Sequence, residues 1–191
     1  MERVIVFFDC TSTTVAAERA GCAVDAAALV DYLADPEEGR LLVEAFAYLP
    51  IDPRHEREGD IALDALWSAG MLVRHKIGAI AGDTYRCDLA VEIALDMARA
   101  AYEMSPDVVV VATADDRLIP AVMTLRGKGV RVEVASFASQ ASRMLRQRCS
   151  GFVDLEALAS EAETAGAGNG PTTQGADSAG REDEGVWVDV S

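Results

Sequence analysis

Arg3-Val4-Ile5-Val6-Phe7-Phe8-Asp9-Cys10-Thr11-Ser12 is an apolar run of strand length that ends on a carboxylate. A second apolar run, Val108 to Ala112, leads straight into Thr113-Ala114-Asp115-Asp116. In an α/β sheet, ligands bind in the crevice outside the carboxyl ends of parallel strands, so Asp9, Asp115 and Asp116 are candidates for one acidic site. Carboxylates gathered in one place repel each other unless something neutralises them. A hard divalent cation such as Mg²⁺ does this with oxygen ligands, and the pattern therefore points to metal-assisted chemistry.

Outward from these two runs, strand-like and helix-like segments alternate, which is the signature of a mostly parallel sheet with helices on its faces. Strands are expected at Arg3 to Phe8, Arg40 to Leu49, Met71 to Lys76, Val108 to Ala112 and Val130 to Ala135. Helices are expected at Thr14 to Ala34, with Gly21 as a break, and at Ile61 to Ala69, Asp88 to Met104, Leu118 to Gly127 and Ser139 to Cys149. A glycine-containing turn is expected from Gly78 to Asp83. The fold class is a three-layer α/β/α sandwich of Rossmann-like type.

At 191 residues, half of them hydrophobic, the chain can bury the core of one ordinary domain, placed at residues 1 to 156. Residues 157 to 191 lose periodicity and hold seven acids against one base, as expected of a disordered acidic tail. Its tip, Val186-Trp187-Val188-Asp189-Val190, alternates apolar residues and is a candidate docking peptide for a protein partner. No apolar run reaches the length of a membrane span, and residues 1 to 10 lack the longer apolar stretch of a signal peptide, so a cytoplasmic protein without membrane contact is expected. Cys10, Cys22, Cys87 and Cys149 are scattered, which speaks for buried thiols over a zinc site or a disulfide scaffold. His55 and His75 are isolated and read as surface positions, and Trp67 with Met71 and Leu72 reads as core or as the contact of a homodimer.

The formal charge of −15 argues against a protein that binds nucleic acid simply by being basic. The charge is uneven, however: Arg117 to Arg148 holds seven bases and only Glu133 as an acid. A basic face beside an acidic metal site suits a phosphodiester-cleaving enzyme, in which cations hold the backbone and carboxylates hold the metal. On the helix that begins at Asp88, Asp88, Glu92 and Asp96 recur at i, i+4 and i+8 along one side. Asp88 is a candidate for the site ahead of a helix cap, whereas Asp96, two turns further on, reads as structural or solvent-facing.

The order of these pieces resembles the NYN domain, a PIN-like nuclease family that includes LabA-type proteins. The resemblance rests on Phe8-Asp9-Cys10-Thr11-Ser12, Tyr85-Arg86-Cys87-Asp88, Thr113 to Pro120, Gly129 to Val134, Ser142-Arg143-Met144-Leu145 and Phe152-Val153-Asp154-Leu155. It covers about residues 3 to 156. Two departures stand out: Ser12 replaces the usual Asn, and Arg117 replaces the second Asp of the turn after the fourth strand. Counted back from Asp115, the family's usual helix acid falls on Ala90, between Asp88 and Glu92.

The resemblance implies a ribonuclease in which Mg²⁺ or Mn²⁺ activates water for attack on an RNA phosphodiester. It carries over Asp9 and Asp115 as catalytic residues and metal ligands, with Asp88 or Glu92 completing the ligand set and Asp88 a further catalytic candidate; Asp116, at the family's variable position, is a catalytic candidate from its place after the strand. Ser12, Thr113, Arg117, Arg143 and Arg146 are the candidates for substrate contact. A second expectation is a catalytically degenerate member that binds RNA or a protein partner. A third is similarity to the haloacid-dehalogenase phosphatases, whose D-x-D-x-T turn is approximated by Asp9-Cys10-Thr11, with Thr11 in place of the second Asp.

Overall fold

A computed structural model describes residues 1–158. The expectations for the acidic tail and its tip at 186–190 lie outside the described residues. The main sheet is built from β1 (Glu2–Asp9), β2 (Arg40–Ile51), β3 (Leu72–Ile77), β6 (Val108–Ala112), β7 (Arg131–Ser136) and β8 (Gly151–Asp154). Its strand order is β3-β2-β1-β6-β7-β8, and every pairing in it is parallel. The separate hairpin of β4 (Ala79–Ala81) and β5 (Thr84–Arg86) is antiparallel.

Parallel strands buried on both faces carry continuous apolar runs, and β6 is fully buried from Val108 to Ala112. Alternate residues face opposite layers. Val4, Val6 and Phe8 of β1 pack with Leu29 and Leu33 of α2 (Ala26–Leu33), Ala16 of α1 (Cys10–Ala20) and Leu66 of α3 (Glu56–Ser68). Ile5 and Phe7 pack instead with Ile93 and Met97 of α4 (Ala90–Glu103), Val122 and Leu125 of α5 (Ile119–Gly127) and Leu145 of α6 (Arg143–Arg148). The result is the expected three-layer sandwich, with α1 to α3 on one face and α4 to α6 on the other.

The chain winds outward from β1 to β3 in one direction, then crosses to β6 and winds outward to β8 in the other. The direction reverses between β1 and β6, and the carboxyl ends of these two strands open the crevice where such sheets bind ligands.

Several boundaries differ from the sequence reading. The first helix begins at Cys10, four residues before the expected start, and breaks as expected at Gly21, whose φ of 76° lets it end α1 in a left-handed cap. The turn expected from Gly78 to Asp83 is the β4–β5 hairpin, a pairing too short to show as alternation. The stretch Gly151–Asp154 adds a sixth strand. The helix expected from Ser139 is shorter because Ser142 caps it, accepting from the Leu145 amide. Met71 is core, but Trp67 and Leu72 are half exposed. Cys10 and Cys149 are buried, whereas Cys22 and Cys87 are only partly so. Among the described residues no helix is long and apolar enough to cross a membrane.

Candidate active site

β1 runs without a loop into α1, and the junction residue is Asp9. Its backbone is extended, its side-chain Oδ1 accepts from the Ser12 amide at 3.2 Å, and it thereby caps the helix. The first turn of α1 is then stitched to the end of β6. Thr13 Oγ1 donates to the Ala112 carbonyl at 2.9 Å, and the Ala114 amide donates to Ser12 Oγ at 2.8 Å. Thr113 Oγ1 donates to Asp9 Oδ2 at 3.0 Å and accepts from the Asp115 amide at the same distance. Buried hydroxyls at these positions satisfy backbone groups that the strand ends would otherwise leave unpaired.

Asp115 opens a 3₁₀ turn over Asp116–Leu118. Its Oδ1 accepts from the Arg117 amide at 2.9 Å, and its carboxylate receives the Arg117 guanidinium through Nε at 2.8 Å and Nη2 at 2.5 Å. Arg117 Nη1 reaches Asp88 Oδ2 at 2.5 Å from the other side. Asp88 stands two residues before α4, whose N-cap is Leu89, and its Oδ1 accepts from the Ala90 amide at 2.9 Å. The Ala90 bond and then Arg117 hold the Asp88 carboxyl below the usual carboxylate range.

These groups share a cleft of about 330 Å³ lined by Asp9, Ser12, Asp88, Asp115 and Arg117, together with Thr11, Arg19, Cys87 and Gln140. Glu92, Asp116, Arg143 and Arg146 are not on its wall. Glu92 pairs with Lys76 at 2.6 Å. Asp116 Oδ1 accepts from Ser142 Oγ at 2.5 Å, tying the 3₁₀ turn to the start of α6. Arg146 lies over the Phe152 ring and donates to the Ala138 carbonyl. Thr113 is fully buried behind the cleft and supports Asp9 from there. Asp96 takes a structural place, accepting from Tyr48 at 2.8 Å and pairing with Arg74.

Arg19 and Gln140 were missed by the sequence reading. Arg19 lies seven residues after Ser12, two turns along α1, a spacing that could have found it. Gln140 follows the end of the neighbouring strand β7 and has no local signal.

Two buried acids in the sheet have different surroundings. Glu133, 2 % exposed, has Arg40 at 3.0 Å and Arg131 at 2.6 Å. Asp9, 8 % exposed, has no ion-pair partner within 4 Å among the described residues. Desolvation by burial pushes its carboxyl above the usual value of 3.8, and this outweighs the opposing Ser12 and Thr113 hydrogen bonds. A buried carboxylate that no cation contacts, with Arg117 acting on it only at longer range and two more carboxylates beside it, fits a hard cation bound by oxygen. As the side chains stand, no three acidic, cysteine or histidine groups among the described residues surround one point, and Arg117 holds two of the three carboxylates.

Residues 3–156 match the NYN domain family. The chain belongs to that family. NYN domains are part of the PIN-like nuclease superfamily and generally act on RNA, which agrees with a parallel sheet bearing acids at its switch point. No curated protein matches the chain in sequence. Among solved structures, it is similar to a protein of unknown function from Vibrio parahaemolyticus, with a TM-score of 0.65 and 22 % identity. That likeness covers 81 % of this chain and 93 % of the other, and it is a likeness of fold alone.

Proposed function

We propose that this NYN domain is a metal-dependent endoribonuclease whose Asp9, Asp88 and Asp115 hold one Mg²⁺ or Mn²⁺ in the cleft. The observation that carries the reading is the buried Asp9 carboxylate at the switch point of the sheet, which no cation contacts among the described residues. When bound, such an ion lowers the pKa of water and stabilises charge on phosphate oxygens.

The chain's own residues supply orientation and charge. The Ser12 amide and Thr113 hydroxyl fix the two oxygens of Asp9, so its remaining lone pairs keep one direction. Arg19 and Arg117, both on the cleft wall, offer positive charge to an RNA phosphate. Ser12 Oγ is engaged by the Ala114 amide but retains its own proton for a phosphate oxygen.

The test is cleavage of mixed single-stranded and structured RNA with Mn²⁺, with and without chelator, by the wild type and by Asp9→Asn and Asp115→Asn. Chelator-sensitive cleavage lost in both variants is the expected result. Cleavage that persists in either variant overturns the assignment.

The pairing of Arg117 with Asp88 and Asp115 favours a second reading, a catalytically silent NYN domain that binds RNA through the same cleft. That reading expects RNA to be retained by the wild type without cleavage at any Mn²⁺ concentration.

A further inference from the structure

Among the described residues, Arg117 is the one whose side chain touches two of the three cleft carboxylates, and it does so from an exposed position. Its side chain is 62 % exposed, against 15 % for Asp115 and 56 % for Asp88. Its backbone is pinned by the amide bond to Asp115, so only the side chain has to move to leave the cleft. With all four groups ionised, Asp9, Asp88, Asp115 and Arg117 carry a net charge of two negative, and withdrawal of the guanidinium leaves three.

We propose that Arg117 is the built-in counter-cation of the cleft and competes directly with a divalent ion for Asp88 and Asp115. This rests on the metal-site reading above. The competition is local: the guanidinium and the ion need the same carboxylate oxygens, and like charges a few ångströms apart repel strongly where water is partly excluded. An ion therefore loads only as Arg117 swings out to solvent, and the site is tuned to weak metal binding by a residue that is itself no ligand. The freed guanidinium then stands at the rim of the cleft, where a substrate phosphate can receive it in two parallel hydrogen bonds.

The test is Mn²⁺ binding to the full chain, read by electron paramagnetic resonance of the free ion and independent of any cleavage. Arg117→Gln, Arg117→Lys and Asp115→Asn are compared with the wild type, with circular dichroism confirming that each is folded. The expected result is binding tightened by about tenfold or more in Arg117→Gln, a smaller gain in Arg117→Lys, and loss in Asp115→Asn. Equal or weaker binding by Arg117→Gln, with the wild type still binding, assigns Arg117 a merely structural role and overturns the competition while leaving the metal site intact. Absence of Mn²⁺ binding in the wild type and in Arg117→Gln alike overturns the metal site and the competition together.

Discussion

Thr113 Oγ1 donates a hydrogen bond to Asp9 Oδ2 at 3.0 Å, joining the end of β6 to the end of β1 at the point where the sheet reverses direction. The same oxygen accepts from the Asp115 amide, so one hydroxyl positions two acids of the cleft.

Thr113→Val keeps the shape and removes both bonds. It leaves a buried carboxylate oxygen and a backbone amide without partners, and a loss of about 1–3 kcal/mol is expected in urea unfolding. Combined with Asp9→Asn, the effect departs from the sum of the single changes, because the two residues share one contact.

Asp9 is raised above its usual value of 3.8, chiefly by desolvation, and this fixes the sign of its pH dependence. Between 3.8 and the raised value the folded state holds a proton that the unfolded state has released, so stability falls as pH rises through that window. Below 3.8 both states are protonated and the penalty is absent. The desolvation penalty on the Asp9 charge is therefore expected to make Asp9→Asn gain stability relative to the wild type as pH rises from about 3 to neutrality. Thermal unfolding at the two pH values checks it.

Asp115 and Asp116 are neighbours in sequence with different tasks. Asp116 holds Ser142, the cap of α6, and lies away from the cleft wall. Asp116→Asn is expected to leave Mn²⁺ affinity unchanged within about twofold while Asp115→Asn abolishes it. Ser142→Ala removes a cap and is expected to lower stability by about 1 kcal/mol.

Gly78 sits where a methyl group would lie 2.2 Å from Tyr85 Cε2 and 2.8 Å from the Arg86 carbonyl oxygen. Gly78→Ala therefore forces the β4–β5 hairpin apart, with an expected loss of about 1–3 kcal/mol. The hairpin leads directly into Cys87 and Asp88, so amide exchange at residues 84–90 should accelerate more than exchange in β6.

Much of this molecule is legible from its residues. Val108 to Ala112 reads as a buried strand because it is short, continuously apolar and four-fifths valine, with Pro106 before it. Asp9 and Asp115 could be named as cleft residues because each lies at the carboxyl end of a strand of this kind. The role of Asp116 could not be read, since nothing local separates two adjacent aspartates, one facing the cleft and the other facing a serine 26 residues away. Arg143 and Arg146 belong to a basic run, but charge alone does not say which way a short helix turns its side chains.

The sequence by itself determined the layering, the alternation of strand and helix, and the acids that end the central strands, because burial patterns and strand-end positions are local properties of the chain. Only the tertiary structure decided which acids meet and what neutralises them. The crossover from β3 to β6 places Asp9 beside Thr113, and the 3₁₀ turn carries Arg117 back across Asp115 to Asp88. Contacts between groups 29 to 104 residues apart are set by strand order and chain path, which no local pattern encodes.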